Sequence, residues 1–186
     1  MPPRNHKDWV KQPKVEYVSS LIYSDHSLFE QEQENIFSKV WVPMCHSSEL
    51  SHLGDFRTTK IALHNVVAIR FENGKIKTFL TDSVLRPAGN DLSLTYHSGM
   101  WIELPCEIKH GGMVWTTLDT NPTMSVDEWT AGAFDCISDA IDAEEMEVFH
   151  YHKAVVDTNY KLWHDTNSEF YHDFMHYFNR VSGFND

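Results

Sequence analysis

The segment between Val40 and Leu118 is composed of short β-branched and aromatic runs that turn residues interrupt every few positions. Asn73-Gly74 lies between two alternating runs, VVAIRF and KIKTFL, and an Asn-Gly pair is a strong hairpin signal because both turn residues tolerate positive φ. Runs of this length and composition are typical of strands and too short for helices. They predict an antiparallel β-domain of about six strands, which we place at residues 40–125.

A helix is predicted directly before this β-domain. Ser27 and Glu30 have the spacing of a capping box, in which each side chain bonds the other's backbone amide. Apolar residues then recur at helical spacing, so we expect a helix over about residues 27–39. Residues 1–39 are therefore predicted to be an arm followed by one helix.

The composition changes again after Pro122, where the sequence becomes acidic and helical in pattern. The β-branched run at residues 152–160 predicts one further strand. We interpret residues 126–186 as the beginning of a second domain of mixed α+β structure. The expected fold class is therefore α+β, with an antiparallel β-domain between a helix and the start of that second domain.

Charge and composition exclude several classes of function. The net charge of −12 opposes binding to nucleic acid or to an anionic membrane surface. No run approaches the roughly 20 apolar residues that span a bilayer, and the polar start lacks a signal core, so a cytoplasmic protein is expected. Cys45, Cys106 and Cys136 lie far apart and predict neither a disulfide framework nor a zinc ribbon.

Four potential metal-binding or acidic side chains share one helical stripe near the end of the chain. On a helix, Asp165, Glu169, His172 and His176 fall at about 0°, 40°, −20° and 20°. Two imidazoles one turn apart can bind one metal ion, and neighbouring carboxylates can orient the rings. Iron, zinc, manganese and cobalt all accept such ligands, so a stand-alone zinc-binding helix is one alternative. Another is a solvated face whose acid and histidine pairs contribute about 0.3 kcal/mol each.

The surrounding residues resemble the catalytic-domain signature of the large subunits of Rieske non-haem iron oxygenases. The similarity lies in Tyr160-Lys161-Leu162, Asp165 and the tetrapeptide Glu169-Phe170-Tyr171-His172. The resemblance implies that His172 is the first ligand of a mononuclear Fe(II) ion. It also implies that Glu169 is the acid that links this iron to the cluster domain of a neighbouring subunit.

Two positions of this signature differ from the family. Asp165 matches the acid that precedes the family's asparagine, a position occupied here by Thr166. The family's second histidine falls five residues after the first, at Tyr177 here, whereas this chain offers His176. A neutral tyrosine, with a pKa near ~10, is a poor ligand for ferrous iron. We therefore predict His176 as the second ligand.

The front of the chain carries the same resemblance, in the family's order and spacing. The matching segments are Ile22-Tyr23-Ser24-Asp25, Ile36-Phe37, Trp41, His46, Glu49-Leu50, Gly54-Asp55-Phe56, Leu104-Pro105-Cys106 and Gly112-Met113-Val114-Trp115. The ordered set implies a Rieske-like β-domain at residues 40–125.

The ligands of the family's [2Fe-2S] cluster are nearly all missing. A Rieske cluster requires Cys-x-His and Cys-x-x-His, but this chain has Ser83-Val84-Leu85-Arg86 and Leu94-Thr95-Tyr96-His97 at those places. Only His97 matches a cluster ligand, and the connecting segment PAGNDLS is shorter than the family's. We therefore expect no cluster to be bound by this chain.

The resemblance implies O₂-dependent hydroxylation of a small organic substrate, with electrons from a ferredoxin or reductase and a homotrimeric or α3β3 assembly. The last forty residues resemble the methanesulfonate-oxidising branch. The third iron ligand, a carboxylate, would come from a later part of the catalytic domain, so the chain is expected to be incomplete and inactive alone. An aromatic-ring-hydroxylating dioxygenase and a cluster-free, non-catalytic interaction module remain alternatives.

Overall fold

The computed structural model describes residues 19–81, 101–140 and 146–168. Their seven strands are all paired antiparallel, which confirms the predicted β-domain with one strand more than expected. The strands are β1 (Val42–His46), β2 (Phe56–Ile61), β3 (His64–Arg70), β4 (Ile76–Thr81), β5 (Ile102–Leu104), β6 (Cys106–Lys109) and β7 (Met113–Thr116). They form a three-stranded sheet in the order β1-β7-β6 and a four-stranded sheet in the order β2-β3-β4-β5.

The hairpin between β3 and β4 forms at the predicted Asn73-Gly74 pair. Gly74 has a φ of 74°, a left-handed conformation that a side chain would strain. The Asn73 side chain accepts a hydrogen bond from the Lys75 amide at 3.0 Å, and the Gly74 amide donates to the carbonyl of Phe71 at 2.9 Å. This local turn sets the β3 to β4 register, in which Val67 lies opposite Phe79.

Apolar residues of both sheets share one core. A buried cluster joins Cys45 of β1 and Val114 of β7 to Ala68 of β3 and Ile76 of β4. Thr78 and Thr116 bring a buried polar link into this core, because their hydroxyl oxygens lie 2.8 Å apart across the two sheets. The β-domain is therefore held by a common interior.

The predicted N-terminal helix is present, but a different residue caps it. Helix α1 covers Leu21–Ser24, and helix α2 covers His26–Glu32 before continuing as a π-helical turn over Gln33–Phe37. The Asp25 carboxylate accepts hydrogen bonds from the amides of Ser27 at 2.9 Å and Leu28 at 3.2 Å. The proposed N-cap role of Ser27 was wrong, because helix α2 already begins at His26 and Asp25 therefore occupies the capping position.

In the described part of the chain, three short helices follow the β-domain. Helix α3 covers Val126–Thr130, α4 covers Asp135–Ala140 and α5 covers Tyr160–Ser168. A capping box begins α3, where the Ser125 side chain accepts from the Glu128 amide and the Glu128 carboxylate accepts from the Ser125 amide.

The strand predicted at residues 152–160 is not present. Residues 152–156 pair with no strand of the described chain, and α5 begins at Tyr160. A β-branched run forms a strand only where a neighbouring strand completes its hydrogen bonds, and the run itself does not reveal that neighbour. Val155 is accordingly 93% exposed.

Contacts within the chain divide it into two units. One unit contains residues 30–151, and the other joins residues 1–29 to residues 152–186, of which 19–29 and 152–168 are described. The predicted domain boundaries after residues 39 and 125 stay predictions. Across the described ranges, no helix combines the length and apolar character that crossing a membrane requires.

Candidate metal centre

Asn159 begins the helix that leads toward the predicted metal ligands. Its side-chain oxygen accepts from the Lys161 amide at 3.0 Å, and its carbonyl accepts from the Leu162 amide at 3.0 Å. An Asn at this position satisfies amides that have no partner inside the helix. Asn159 therefore fixes where α5 starts. The start of the helix in turn determines which face each later residue of α5 occupies.

Asp165 lies on α5 and is held by a residue from the other end of the chain. The Tyr23 hydroxyl donates a hydrogen bond to the Asp165 carboxylate, across 142 residues of sequence. The Asn159 side chain also donates to the carbonyl of Tyr23 at 2.9 Å. The hydrogen bond to Asp165 raises the pKa of Tyr23 above its ordinary value, with desolvation and the charge of Asp165 acting in the same direction.

The described chain contains only one of the predicted stripe residues. Asp165 lies in helix α5, as the predicted helical stripe requires, whereas Glu169, His172 and His176 lie outside the described residues. The histidine pair and its common face therefore remain a prediction. His97, the surviving match to a cluster ligand, also lies outside the described residues. Within ranges 19–81, 101–140 and 146–168, no three histidine, cysteine or acidic side chains are grouped closely enough to hold a metal ion.

The cysteines of this chain do not fit a Rieske cluster. Cluster ligation requires two thiolates placed beside two imidazoles. Burial raises the pKa of Cys45 to about 12 and that of Cys106 to about 11, with the charge of Glu49 contributing at Cys45. Cys45 packs in the apolar core of the β-domain with Cys106 against it. Cys136 is exposed and donates to the carbonyl of Ala133 at 3.3 Å.

Several residues of the family-like front motif have structural roles in the β-domain. The His46 ring accepts from the Ser48 amide, and its backbone amide donates to the Glu49 carboxylate at 2.9 Å. The other ring nitrogen of His46 lies 2.6 Å from the carbonyl of Gly111 in the β6 to β7 turn. The Trp41 indole donates to the carbonyl of Met124 at 2.9 Å. These residues build the fold and are not available as ligands.

The sequence at the expected cluster position connects two strands that are paired with each other. Strands β4 and β5 are antiparallel neighbours, with Leu80 opposite Ile102 and Thr78 opposite Leu104. Residues 82–100, which would carry both ligand motifs, lie outside the described residues. The strands on both sides of the substituted motifs are thus present in the sheet.

The role of Tyr23 was not predicted from the sequence. Tyr23 lies in a family-like motif, but no local pattern relates it to Asp165, because the two residues are 142 positions apart. Only a three-dimensional arrangement could reveal the pair.

Comparison with known proteins identifies relatives along the whole chain. No model of a protein family matches it. The chain is 42% identical to the methanesulfonate monooxygenase hydroxylase alpha subunit of Methylosulfonomonas methylovora, over all of this chain and 56% of that subunit. It is 34% identical to the 2-aminobenzenesulfonate 2,3-dioxygenase alpha subunit of an Alcaligenes species, over 90% of this chain and 51% of that subunit. The chain therefore spans about half the length of these curated relatives.

The stretch matched in the Methylosulfonomonas subunit is longer than this chain. It extends over 234 positions, whereas this chain has 186 residues and is wholly covered. The difference of 48 positions corresponds to residues that the relative has inside the matched stretch and this chain lacks.

Solved structures show the same fold. A quaternary ammonium Rieske monooxygenase in complex with L-carnitine matches 82% of this chain and 53% of its own, with a TM-score of 0.64 and 22% identity. Naphthalene 1,2-dioxygenase from a Rhodococcus species matches 84% of this chain and 44% of its own, with a TM-score of 0.65 and 20% identity. The chain is therefore similar in sequence to the alpha subunits of these oxygenases, and similar in fold to Rieske oxygenases, over a stretch equal to about half of such a subunit.

Proposed function

We propose that this chain is part of the large subunit of a Rieske-type non-haem iron oxygenase, which hydroxylates a small organic substrate with O₂. The observation that carries the proposal is the 42% identity to an oxygenase alpha subunit along the whole chain. Such an enzyme is an oxidoreductase, and its activity depends on the parts of the subunit that the match does not cover. An aromatic-ring dioxygenase is the nearest rival within the family.

The residues proposed to hold mononuclear Fe(II) are His172 and His176, with a carboxylate from another part of the subunit. Iron in such a site supplies O₂ activation at its open coordination positions. This chain contributes helix α5, which Asn159 caps and which carries Asp165. Asp165 and Glu169 are acids that orient the site and do not need to ligate the metal.

The proposed substrate class is an organic sulfonate. The two relatives with the highest identity described above act, by name, on methanesulfonate and 2-aminobenzenesulfonate. One of these compounds is aliphatic and the other aromatic, so the sulfonate group is the chemistry that they share. Methanesulfonate is the more specific proposal, because the identity to its monooxygenase is higher.

We propose that electrons reach the iron from a cluster that this chain does not itself hold. Ser83, Leu85 and Leu94 replace three of the four family ligands, and desolvation raises the pKa of the Cys45 and Cys106 thiols. A ferredoxin or reductase is the proposed donor, in a homotrimer or an α3β3 assembly. One related structure is described in terms of inter-subunit electron transfer. The three free thiols favour the reducing cytoplasm as the compartment.

The test is a Co(II) titration of the purified 186-residue chain, followed by the visible absorption of the bound ion. We expect the wild-type chain to bind Co(II) weakly, and His172→Ala and His176→Ala each to weaken binding at least about tenfold, since each removes a metal ligand. Tyr177→Phe should bind as the wild type does. His150→Ala is the matched control, because His150 is an exposed histidine that does not belong to the predicted stripe.

Two outcomes would contradict this assignment. Equal Co(II) affinity in both histidine variants and the wild type would remove the metal site and favour the cluster-free interaction module. Tight, stoichiometric zinc after purification, detected by elemental analysis, would favour a zinc-binding helix instead.

A further inference from the structure

The loop between β3 and β4 places an asparagine directly before a glycine at the surface. The Gly74 amide donates to the carbonyl of Phe71 at 2.9 Å, and the Phe71 amide donates to the carbonyl of Lys75 at 2.9 Å. Glu72, Asn73 and Gly74 therefore form a three-residue hairpin loop, with the glycine in the left-handed conformation that such loops require. All three loop residues are exposed, so water reaches the Asn73 side chain.

This order of residues permits a reaction within the chain. The backbone nitrogen of Gly74 can attack Cγ of the Asn73 side chain, which forms an N–Cγ bond and closes a cyclic imide. The Cγ–Nδ2 bond breaks, and Nδ2 leaves as ammonia with the proton that the Gly74 nitrogen gives up. Water then opens the ring at either carbonyl and produces aspartate or isoaspartate. Water is the only co-reactant, and nothing is oxidised or reduced.

Asn73 has the least hindered neighbour of any asparagine in the chain. Asn73-Gly74 is the only Asn-Gly pair in the sequence, and glycine has no side chain to obstruct attack by its backbone nitrogen. A Cβ built on Gly74 would meet no described atom within 4 Å, so the loop has room for ring closure. Asn65, by contrast, lies in β3 and precedes Val66, whose branched side chain is fully buried.

Two hydrogen bonds of the loop act on this reaction in opposite directions. The Lys75 amide donates to Oδ1 of Asn73 at 3.0 Å. Negative charge develops on Oδ1 when Cγ is attacked, so this contact favours the reaction. The bond from the Gly74 amide to the Phe71 carbonyl must break first, so it opposes the reaction. One such bond contributes about 1 kcal/mol, which corresponds to a rate about fivefold lower.

We propose that Asn73 is a self-modification site, at which the Gly74 nitrogen converts the side chain to aspartate or isoaspartate in the folded chain. The inference is independent of the proposed function, because it uses only residues of the β-domain. Aspartate keeps an acceptor for the Lys75 amide. Isoaspartate adds a methylene group to the backbone of the loop and displaces the Gly74 carbonyl, which accepts from the Arg70 guanidinium at 2.8 Å. Isoaspartate therefore loosens the connection between β3 and β4.

The experiment ages the purified 186-residue chain at mildly alkaline pH and maps its peptides by mass spectrometry. We expect the peptide that contains Asn73 to gain the mass of deamidation, while the peptide that contains Asn65, the matched control, stays unchanged. Ion exchange should separate a form one charge more negative than the starting chain. Asn73→Gln should not produce this form, because its longer side chain closes the ring poorly, and Asn73→Asp should show the extra charge from the start.

A second measurement identifies the isoaspartate product. An isoaspartate methyltransferase with labelled S-adenosylmethionine should label the aged wild-type chain and leave aged Asn73→Gln unlabelled. The labelled fraction should unfold at a lower urea concentration than Asn73→Asp, because only isoaspartate lengthens the loop.

Comparison with the urea-unfolded chain determines whether the reaction occurs in the fold. The unfolded chain should modify Asn73 about fivefold faster, since it lacks the bond from the Gly74 amide to Phe71. Modification of Asn73 that is confined to the unfolded chain would overturn the proposal. Equal modification of Asn65 and Asn73 in the folded chain would overturn it as well, because the loop would then have no special reactivity.

Discussion

Burial determines what the three cysteine side chains can do. Burial raises the pKa of Cys45 to about 12 and that of Cys106 to about 11, so at pH 8 a fraction of about one in a thousand or less is the reactive thiolate. Cys136 is exposed on helix α4. Cys45 and Cys106 are therefore thiols of the β-domain core, whereas Cys136 is accessible.

We accordingly expect a thiol reagent such as dithionitrobenzoate to modify one cysteine rapidly in the native chain at pH 8. Cys136→Ser should abolish this fast reaction, because Cys45 and Cys106 are shielded and protonated. All three thiols should react in denaturant. A second fast thiol in the native Cys136→Ser variant would show that the core of the β-domain opens readily.

At the scale of elements, Gly112 and Gly74 both have positive φ, but glycine is required at the two positions for different reasons. A Cβ on Gly112 would lie 2.6 Å from the His46 ring nitrogen, and Gly112 has a φ of 102°. A Cβ on Gly74 would meet no atom within 4 Å, although its φ is 74°. The β6 to β7 turn therefore requires glycine for space as well as for conformation. The β3 to β4 turn requires it for conformation alone.

Gly74→Ala should cost about 1–2 kcal/mol of the free energy of unfolding, the usual cost of a left-handed residue. Gly112→Ala should cost roughly 2 kcal/mol more, because the new methyl group displaces the His46 ring from its hydrogen bond to Gly111. Urea unfolding followed by tryptophan fluorescence measures both values. Equal destabilisation in the two variants would contradict the close contact between Gly112 and His46.

The elements predicted correctly from the sequence are those whose conformation depends on neighbouring residues in the chain. Asn73-Gly74 specifies a hairpin because the turn geometry depends on those two residues. The strand at residues 152–160 was wrong because a strand depends on a neighbour that its own sequence does not contain. The contact between Tyr23 and Asp165 was missed for a related reason, since its partners are 142 residues apart. The sequence also assigned the cap of α2 to the wrong residue. Asp25 and Ser27 can both accept hydrogen bonds from helix amides, and the backbone position at which the helix begins decides which of them does.

At the scale of the whole molecule, the chain has the Rieske-type fold without the thiol ligands of a Rieske cluster. Anaerobic reconstitution with iron and sulfide should give neither the visible absorption nor the low-temperature spin signal of a reduced Rieske centre, because Ser83, Leu85 and Leu94 cannot ligate iron. The quaternary ammonium Rieske monooxygenase, treated identically, is the positive control. A stoichiometric Rieske signal from this chain would show that other residues serve as ligands.

Because β4 pairs with β5, the segment between these two strands is a suitable place to insert a longer loop. Leu80 and Ile102 face each other in an antiparallel ladder, so whatever connects them begins and ends only about 5 Å apart. Closing a loop between fixed ends costs entropy that rises only with the logarithm of its length. Even if all 48 additional positions of the Methylosulfonomonas subunit were inserted there, the extra cost would be about 1 kcal/mol. The sheet therefore accepts a much longer connection at small entropic cost, so a loop that carries Cys-x-His and Cys-x-x-His can be introduced here without changing the strands on either side.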